Sequence, residues 1–377
     1  MNFKYSEDQL AIKEVADRMF RDLCGDEQIR ALFKTPQPFH AELWSQLAGA
    51  GLLAATLPAE LGGSDMGLLE LSLVLEAQGR AVAPVPLLES VVASAMPIAH
   101  FASEELKRAL VPQLASGEKI LVPVRPYDGF QDFVPLNATA NSSGWVLNGR
   151  SSLTTYAPVA NGFLVQAKLN GASQWVGYCS ADATGVRVVQ QRASSGESAG
   201  QVHFENVNIS AAHTIAIADE ADALLEWQAQ RVFTAMAAQQ VGILREGVRR
   251  AADYTNERTQ FGRPLASFQA VAQQAADGYM AVEALQGVVW RALEDIDGNA
   301  DSAALAARVA KFWLCEAGHT AAHIFLHLHG GIGQDLDYPL HRFFIWAKKN
   351  EVLLGGANVQ AAALGKRIAA NPELFFA

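Results

Sequence analysis

Ser6 opens the patterned part of the chain. Gln9 follows it three residues later as the second half of a capping box, and Leu10, Ile12, Val15, Met19 and Phe20 then recur at helical rather than strand spacing. The same periodicity predicts helices over about 39–50, 67–81, 87–101 and 103–116, separated by the breakers LPAELGGSD, AVAPVP and MP. After Gly117 the runs shorten. KILVPV, FVPLNATA, GWVLNGR, GFLVQAK, QWVGYCS, GVRVVQQ and QVHFENVNI are β-branched or aromatic and bounded by Gly, Asn, Asp and Ser, which reads as about seven strands. Within them Asn148-Gly149 is a hairpin-turn signal, and QQRASSGESAG at 190–200 reads as a surface loop. From about Asp219 the helical period returns, near 221–256, 267–296, 302–328 and 345–370, broken by DGNADS and HGGIGQDLDYP.

Four long helices of this kind pack as a bundle. The expected fold is therefore α+β: an N-terminal all-α domain (1–118), a middle antiparallel β-domain (119–218) and a C-terminal four-helix bundle (219–377).

Composition narrows the function. At 377 residues, half of them hydrophobic, the chain can bury more than one core. Its net charge of -10 argues against a nucleic-acid scaffold or an anionic membrane surface, both of which select clustered Lys and Arg. Cys24, Cys179 and Cys315 have neither CxxC spacing nor an even count, so no disulfide framework or zinc knuckle is expected, and a reducing cytoplasm is the simplest setting. The N-terminal stretch carries acids and lacks an apolar leader core, and no uncharged run is long enough to span a membrane.

One corner carries chemistry. In ERTQFGRPLASFQ, Arg258 and Arg263 flank Phe261-Gly262, and Pro264 restricts the chain before a new helix starts. Fixed guanidiniums beside a helix N-terminus suit a diphosphate, whose oxygens they bind as forks. Spacing alone, however, favours the plainer reading of a proline-stopped loop with solvated arginines. His319, His323 and His327 recur along one helical face with His329 beyond, but no HExxH or inward carboxylate accompanies them, so they are read as interface polarity rather than a metal site. Asp335, Asp337, His341 and Arg342 could order the loop after GGIG or touch an adenine or a CoA phosphate, with solvated loop charge the plainer reading.

The stretch DYTNERTQFGRPLASFQAVAQQAAD, followed after another helix by HLHGGIGQDLDYPLHR, resembles the signature region of the acyl-CoA dehydrogenases, and the order of helices, β-domain and helices extends the resemblance over essentially the whole chain. The resemblance implies an FAD whose pyrophosphate and adenosine half meets Arg258, Phe261 and Gln269, with His327, His329, Gly330 and Gly331 contacting the same cofactor across a subunit interface. It also implies an acyl-CoA substrate, from which a glutamate removes the α-proton while hydride leaves to the flavin.

The chain departs from that pattern where the chemistry is done. The position of the usual glutamate is Leu354, and the alternative position in other members is Val232, with Gln230, Arg231 and Glu226 nearby. Glu351, three residues before Leu354, points away from that position on a helix. On the flavin-facing side the usual Trp is Leu153, a Glu is replaced by Pro126, and the Thr beside flavin N5 survives as Thr155. No catalytic residue is assigned.

These losses together resemble the glutamate-lacking subunit of the α2β2 acyl-CoA dehydrogenases of bacterial steroid side-chain catabolism, whose partner retains the base, and pimeloyl-CoA dehydrogenase small subunits end similarly. The rival readings are a scaffold or regulatory paralogue without flavin, and a homo-oligomeric flavoenzyme with an unusual base. For the histidine stripe the expected outcome is plain: micromolar zinc leaves the thermal midpoint unchanged, whereas a saturable metal-dependent rise contradicts the reading.

Overall fold

A computed structural model describes residues 4–36, 38–125, 136–169, 173–370 and 372. The helices are α1 (Glu7–Leu23), α2 (Asp26–Leu32), α3 (Ala41–Gly49), α4 (Leu68–Ala81), α5 (Met96–Phe101), α6 (Glu104–Ala115), α7 (Ala218–Glu257), α8 (Gln269–Asp297), α9 (Ala303–His329), α10 (Leu340–Val352) and α11 (Ala357–Ala370). Strands β1 (Leu121–Val124), β2 (Asn137–Asn141), β3 (Gly144–Thr155), β4 (Gly162–Leu169), β5 (Ser173–Ser180), β6 (Val186–Arg192), β7 (Ser198–Ser210) and β8 (Thr214–Ile217) share one sheet, and β9 (Thr259–Gln260) pairs with β10 (Arg263–Pro264). The capping box at Ser6 and Gln9 forms as expected.

Two compact units emerge from the packing. One gathers the chain up to Arg30, Leu68–Ala83 and everything from Phe233, and the other gathers Ala31–Gly67 and Pro84–Val232, so the boundary falls within α7.

In the second unit the sheet runs β6-β7-β3-β2-β4-β5-β8 and is mostly antiparallel, with parallel pairing of β1 and of β2 to β4. Its core is aromatic, with Trp175, Phe163 and Phe204 fully buried. Residues 87–95 wind as a wide π-helix, and all nine side chains are buried. Here Ser94 Oγ donates to the carbonyl of Glu89 at 2.8 Å, satisfying backbone left over by the wide winding.

Three sequence expectations are corrected here. Asn148-Gly149 lies inside β3 as a bulge rather than at a turn, with Gly149 at φ +126° and Asn148 Oδ1 accepting from the backbone N–H of Asn206 at 2.8 Å. The hairpin closes instead between Asn141 and Gly144. The stretch 190–200 is mostly strand, and Ser195 and Glu197 in its remaining loop are buried because Glu197 has a phenol partner, described below. The fourth long helix is two, α10 and α11, because Leu354 and Gly355 take φ of +62° and +92° and no helix continues through left-handed residues. The short strand β8 and helix α2 went unrecognised in the pattern.

In the first unit α4 and α7 touch backbone to backbone. A Cβ on Gly79 would lie 2.1 Å from the carbonyl oxygen of Gln239, and one on Gly242 would lie 2.0 Å from that of Glu76. The buried Glu76 carboxylate accepts from both Arg80 and Arg245, and Asp297 caps α4 by accepting from the N–H groups of Leu68 and Leu69 at 2.9 and 3.2 Å. Gly242→Ala forces these helices apart and is expected to lower unfolding free energy by about 1–3 kcal/mol. A denaturant midpoint equal to that of the wild type contradicts this close contact.

Candidate functional site

Immediately after α7 the chain reverses through a two-residue hairpin. Gln260 pairs with Arg263, and Phe261 and Gly262 between them have φ of +52° and +79°, the double left-handed geometry of a type I′ turn. Gly262 adopts it freely. Phe261 does so under strain, and its ring is 90% exposed. Leu265 N–H closes the corner by donating to Arg258 O at 2.9 Å, and α8 then begins at Gln269 with no side-chain cap on its N-terminus. The Arg263 guanidinium lies 4.1 Å over the Phe268 ring, which meets Phe261 edge-on at 6.2 Å.

Charge pairing separates this corner from the helix leading into it. Arg245 pairs with Glu76 and Glu283, Arg249 with Glu246 and Asp253, and Arg250 with Asp26 and Glu246. Among the described residues neither Arg258 nor Arg263 has a carboxylate partner. Two exposed guanidiniums without carboxylate partners and an uncapped helix N-terminus offer the chemistry that binds anions.

The end of α9 is tied to this corner through aromatic stacking. Tyr254, one turn before Arg258, lies on His329 with ring centres 4.6 Å apart and planes 18° apart. His329 Nδ1 donates to Phe325 O at 2.8 Å, while burial, reinforced by Arg250, holds the imidazole below its ordinary pKa. Its Nε2 is buried without a partner among the described residues. His329 therefore supports the turn from behind, whereas His327 and the two glycines face outward. Gly330 has φ +63°, and a Cβ on Gly330 or Gly331 would meet nothing in this chain. Thus Arg258, Phe261, Gln269, His327, His329, Gly330 and Gly331 belong to one unit, and Thr155 belongs to the other.

The loop charges beyond the glycines correct the reading of solvated charge, since they are tied into the fold and Arg342 is buried. Asp337 pairs with Arg30 at 3.1 Å, Asp335 accepts from the N–H of Asp337, His341 bonds Tyr338 O, and the buried Arg342 donates to Asp26 O.

The turn carrying Leu354 is clamped on both sides. The buried Lys311 ammonium donates to the carbonyls of Asn350 and Glu351 at 2.7 and 3.2 Å, capping α10, and Gln360 Nε2 donates to those of Leu354 and Gly355. The turn is firmly held, and the side chain it carries at position 354 is apolar. The Glu351 carboxylate is engaged by Lys348 and His319. Val232 is buried, and the adjacent Arg231 guanidinium stacks 3.5 Å over Trp227.

In the second unit, Leu153 is 48% exposed and Thr155 Oγ1 donates to Glu89 Oε1 at 3.0 Å. Pro126 lies outside the described residues. Glu89 escaped the sequence reading; its only signal is an acid inside the apolar run LLESVVASAMPI.

Comparison with known proteins decides the family. The N-terminal domain of the acyl-CoA dehydrogenases matches residues 6–118, and their C-terminal domain matches residues 226–369. The chain belongs to the acyl-CoA dehydrogenase family. Acyl-CoA dehydrogenase FadE27 of Mycobacterium tuberculosis is 35% identical over 379 residues, covering 99% of this chain and all of that relative. Two solved structures are similar at 35% identity. One is the ChsE4-ChsE5 complex from Mycobacterium tuberculosis, with a TM-score of 0.91 over 98% of this chain and 99% of that one. The other is the Tcur3481-Tcur3483 steroid acyl-CoA dehydrogenase G363A variant, with a TM-score of 0.89 over 97% and 99%. No described helix of this acyl-CoA dehydrogenase is long and apolar enough to cross a membrane.

The Lys311 clamp has a pH signature. Burial pulls the ammonium below the ordinary lysine value of 10.5, so between the folded value and 10.5 the unfolded chain binds the extra proton. Stability of the wild type therefore rises as pH rises through that interval. In Lys311→Met that rise is expected to vanish, and identical pH slopes of the urea midpoint in both proteins contradict a buried, charged clamp.

Proposed function

We propose that this chain is the base-less subunit of a hetero-oligomeric, FAD-dependent acyl-CoA dehydrogenase. It grips the phosphate end of an FAD lodged chiefly in a partner chain, and that partner supplies the glutamate. The observation that carries this reading is the pair of unpaired guanidiniums, Arg258 and Arg263, on a strained hairpin that exposes Phe261, in a chain whose base position is Leu354.

The residues present fit the diphosphate and adenosine half of the cofactor. Arg258 and Arg263 offer bidentate N–H forks, α8 offers its uncapped N-terminus, and Gly330 and Gly331 leave room for close backbone approach. When bound, FAD supplies the hydride acceptor for α,β-desaturation of an acyl-CoA thioester. This chain's own residues neutralise the diphosphate, cover it with Phe261 and hold the glycine turn against it through the Tyr254–His329 stack. They supply no proton acceptor at Leu354 or Val232, so the α-proton is taken elsewhere.

The relatives support an assembly of unlike chains, since both similar structures bear the names of two-protein complexes and one is called a steroid enzyme. A steroid side-chain thioester and a cytoplasmic setting belong to the same proposal.

The test is coexpression with an adjacently encoded dehydrogenase. The chain alone is expected to be colourless or weakly yellow and inactive, and the complex yellow. Arg258→Ala is expected to weaken FAD retention by the complex on the order of ten- to a hundredfold, the range for losing charge-assisted bonds. Unchanged retention removes the diphosphate role. Full flavin occupancy with turnover by this chain alone favours a homo-oligomeric enzyme, and a colourless complex favours a scaffold.

A further inference from the structure

We infer that His329 is a positioning residue that holds the phosphate-binding corner only while its imidazole is uncharged, so that mild acid opens the corner and releases FAD. The inference rests on the clamp reading above and adds its regulation.

A neutral imidazole has one N–H and one lone pair, and its next proton can enter only at the lone pair. Nδ1 of His329 lies 2.8 Å from Phe325 O, and because a carbonyl only accepts, Nδ1 carries the hydrogen. The lone pair is left on Nε2, which is buried and has no partner among the described residues. A proton added there would make a buried N–H without an acceptor and a charge without a counterion, on a residue that is 3% exposed.

The charged surroundings oppose that proton as well. From α7 the ring faces Tyr254 and Arg250, and Arg250 repels a like charge. From the loop before α10 it faces Tyr338, with ring centres 5.5 Å apart. Asp26 and Glu257 act on the Tyr338 phenol rather than on the imidazole, and His341 and Arg342 of α10 are bonded to Tyr338 O and Asp26 O.

Kept neutral, the ring joins the two halves of the corner. It stacks on Tyr254, whose carbonyl accepts from the N–H of Arg258 at 2.8 Å, where the hairpin starts. On the other side the chain leaves α9 directly into Gly330 at φ +63°, and a Cβ on Gly333 would lie 3.1 Å from the Cβ of His329. Expelling the imidazole into water therefore loosens the Arg258 hairpin and the glycine turn together.

The direction of the pH effect follows. Burial, opposed by the Phe325 hydrogen bond and reinforced by Arg250, keeps the closed corner's imidazole below its ordinary 6.5, whereas an opened corner exposes the ring and binds the proton near that value. Closure is unaffected above about pH 6.5 and is lost as pH falls below it, by at most about tenfold per pH unit for one proton. The guanidiniums and the cofactor's diphosphate keep their charge throughout this interval.

The test dialyses the coexpressed complex against FAD from about pH 8 down to about pH 5 at fixed ionic strength, with bound flavin read by absorbance. Wild type is expected to hold FAD equally well down to about pH 6.5 and progressively less below it, by up to about tenfold per pH unit. His329→Phe keeps a ring to stack on Tyr254 and gains no proton, so its retention is expected to be level across the whole interval. His329→Gln keeps a donor for Phe325 O and also gains no proton. It covers failure of the Phe variant to assemble and is expected to be level too, at weaker retention for want of a stacking ring. A level wild-type profile, or an acid loss of equal steepness in an assembled His329 variant, overturns the inference while the clamp reading stands. Failure of the clamp reading looks different: Arg258→Ala then retains FAD as well as wild type at about pH 8, where His329 is neutral in both.

Discussion

Arg258 and Arg263 stand without carboxylates at the end of a helix whose preceding arginines, Arg245, Arg249 and Arg250, are each paired. Everything nearby keeps them so. The type I′ hairpin fixes the spacing of the two guanidiniums at the expense of a left-handed, solvent-facing phenylalanine, and Tyr254 stacks on His329 to hold the glycine turn beside them. The contrast with the paired arginines of the preceding helix is what the proposed anion-binding role requires. Gly330 and Gly331 point the same way, because no atom of this chain would obstruct a side chain there.

On the proposed reading, the reactive end of the chemistry is lost by single side-chain changes rather than by loss of structure. The Leu353–Gly356 turn is capped by a buried ammonium on one side and a glutamine amide on the other, yet it displays Leu354. The end of β3 retains Thr155, whose hydroxyl donates to Glu89. Two guanidiniums without carboxylate partners among the described residues and an apolar residue at position 354 are consistent with the proposal that flavin chemistry takes place in a different polypeptide.

How much of this was legible beforehand depended on whether the cue was local. The helix starting after Ser6, the long helices α7, α8 and α9 and most strands follow from side-chain period, and the Arg-x-x-Phe-Gly-x-Pro corner is visible as spelling. The failures share a cause in long-range partners. Residues 190–200 look like a polar loop, but β7 pairs with β3 through part of them and Tyr156 satisfies Glu197. Asn148-Gly149 carries a turn signal, but pairing with β7 on the far side makes it a bulge. Leu354 breaks a helix that its composition would continue, because carbonyls on both sides are held by Lys311 and Gln360 from elsewhere in the chain. Glu89 could not be singled out at all, since only the fold reveals the hydroxyl of Thr155 beside it.

The most direct test is a crystal structure of this chain assembled with its coexpressed partner in the presence of FAD. The expected result is a diphosphate within hydrogen-bonding distance, about 3 Å, of the Arg258 guanidinium, with the isoalloxazine seated in the partner beside that partner's glutamate. A complete isoalloxazine bound wholly within identical copies of this chain, next to a well-placed acidic side chain, would contradict it.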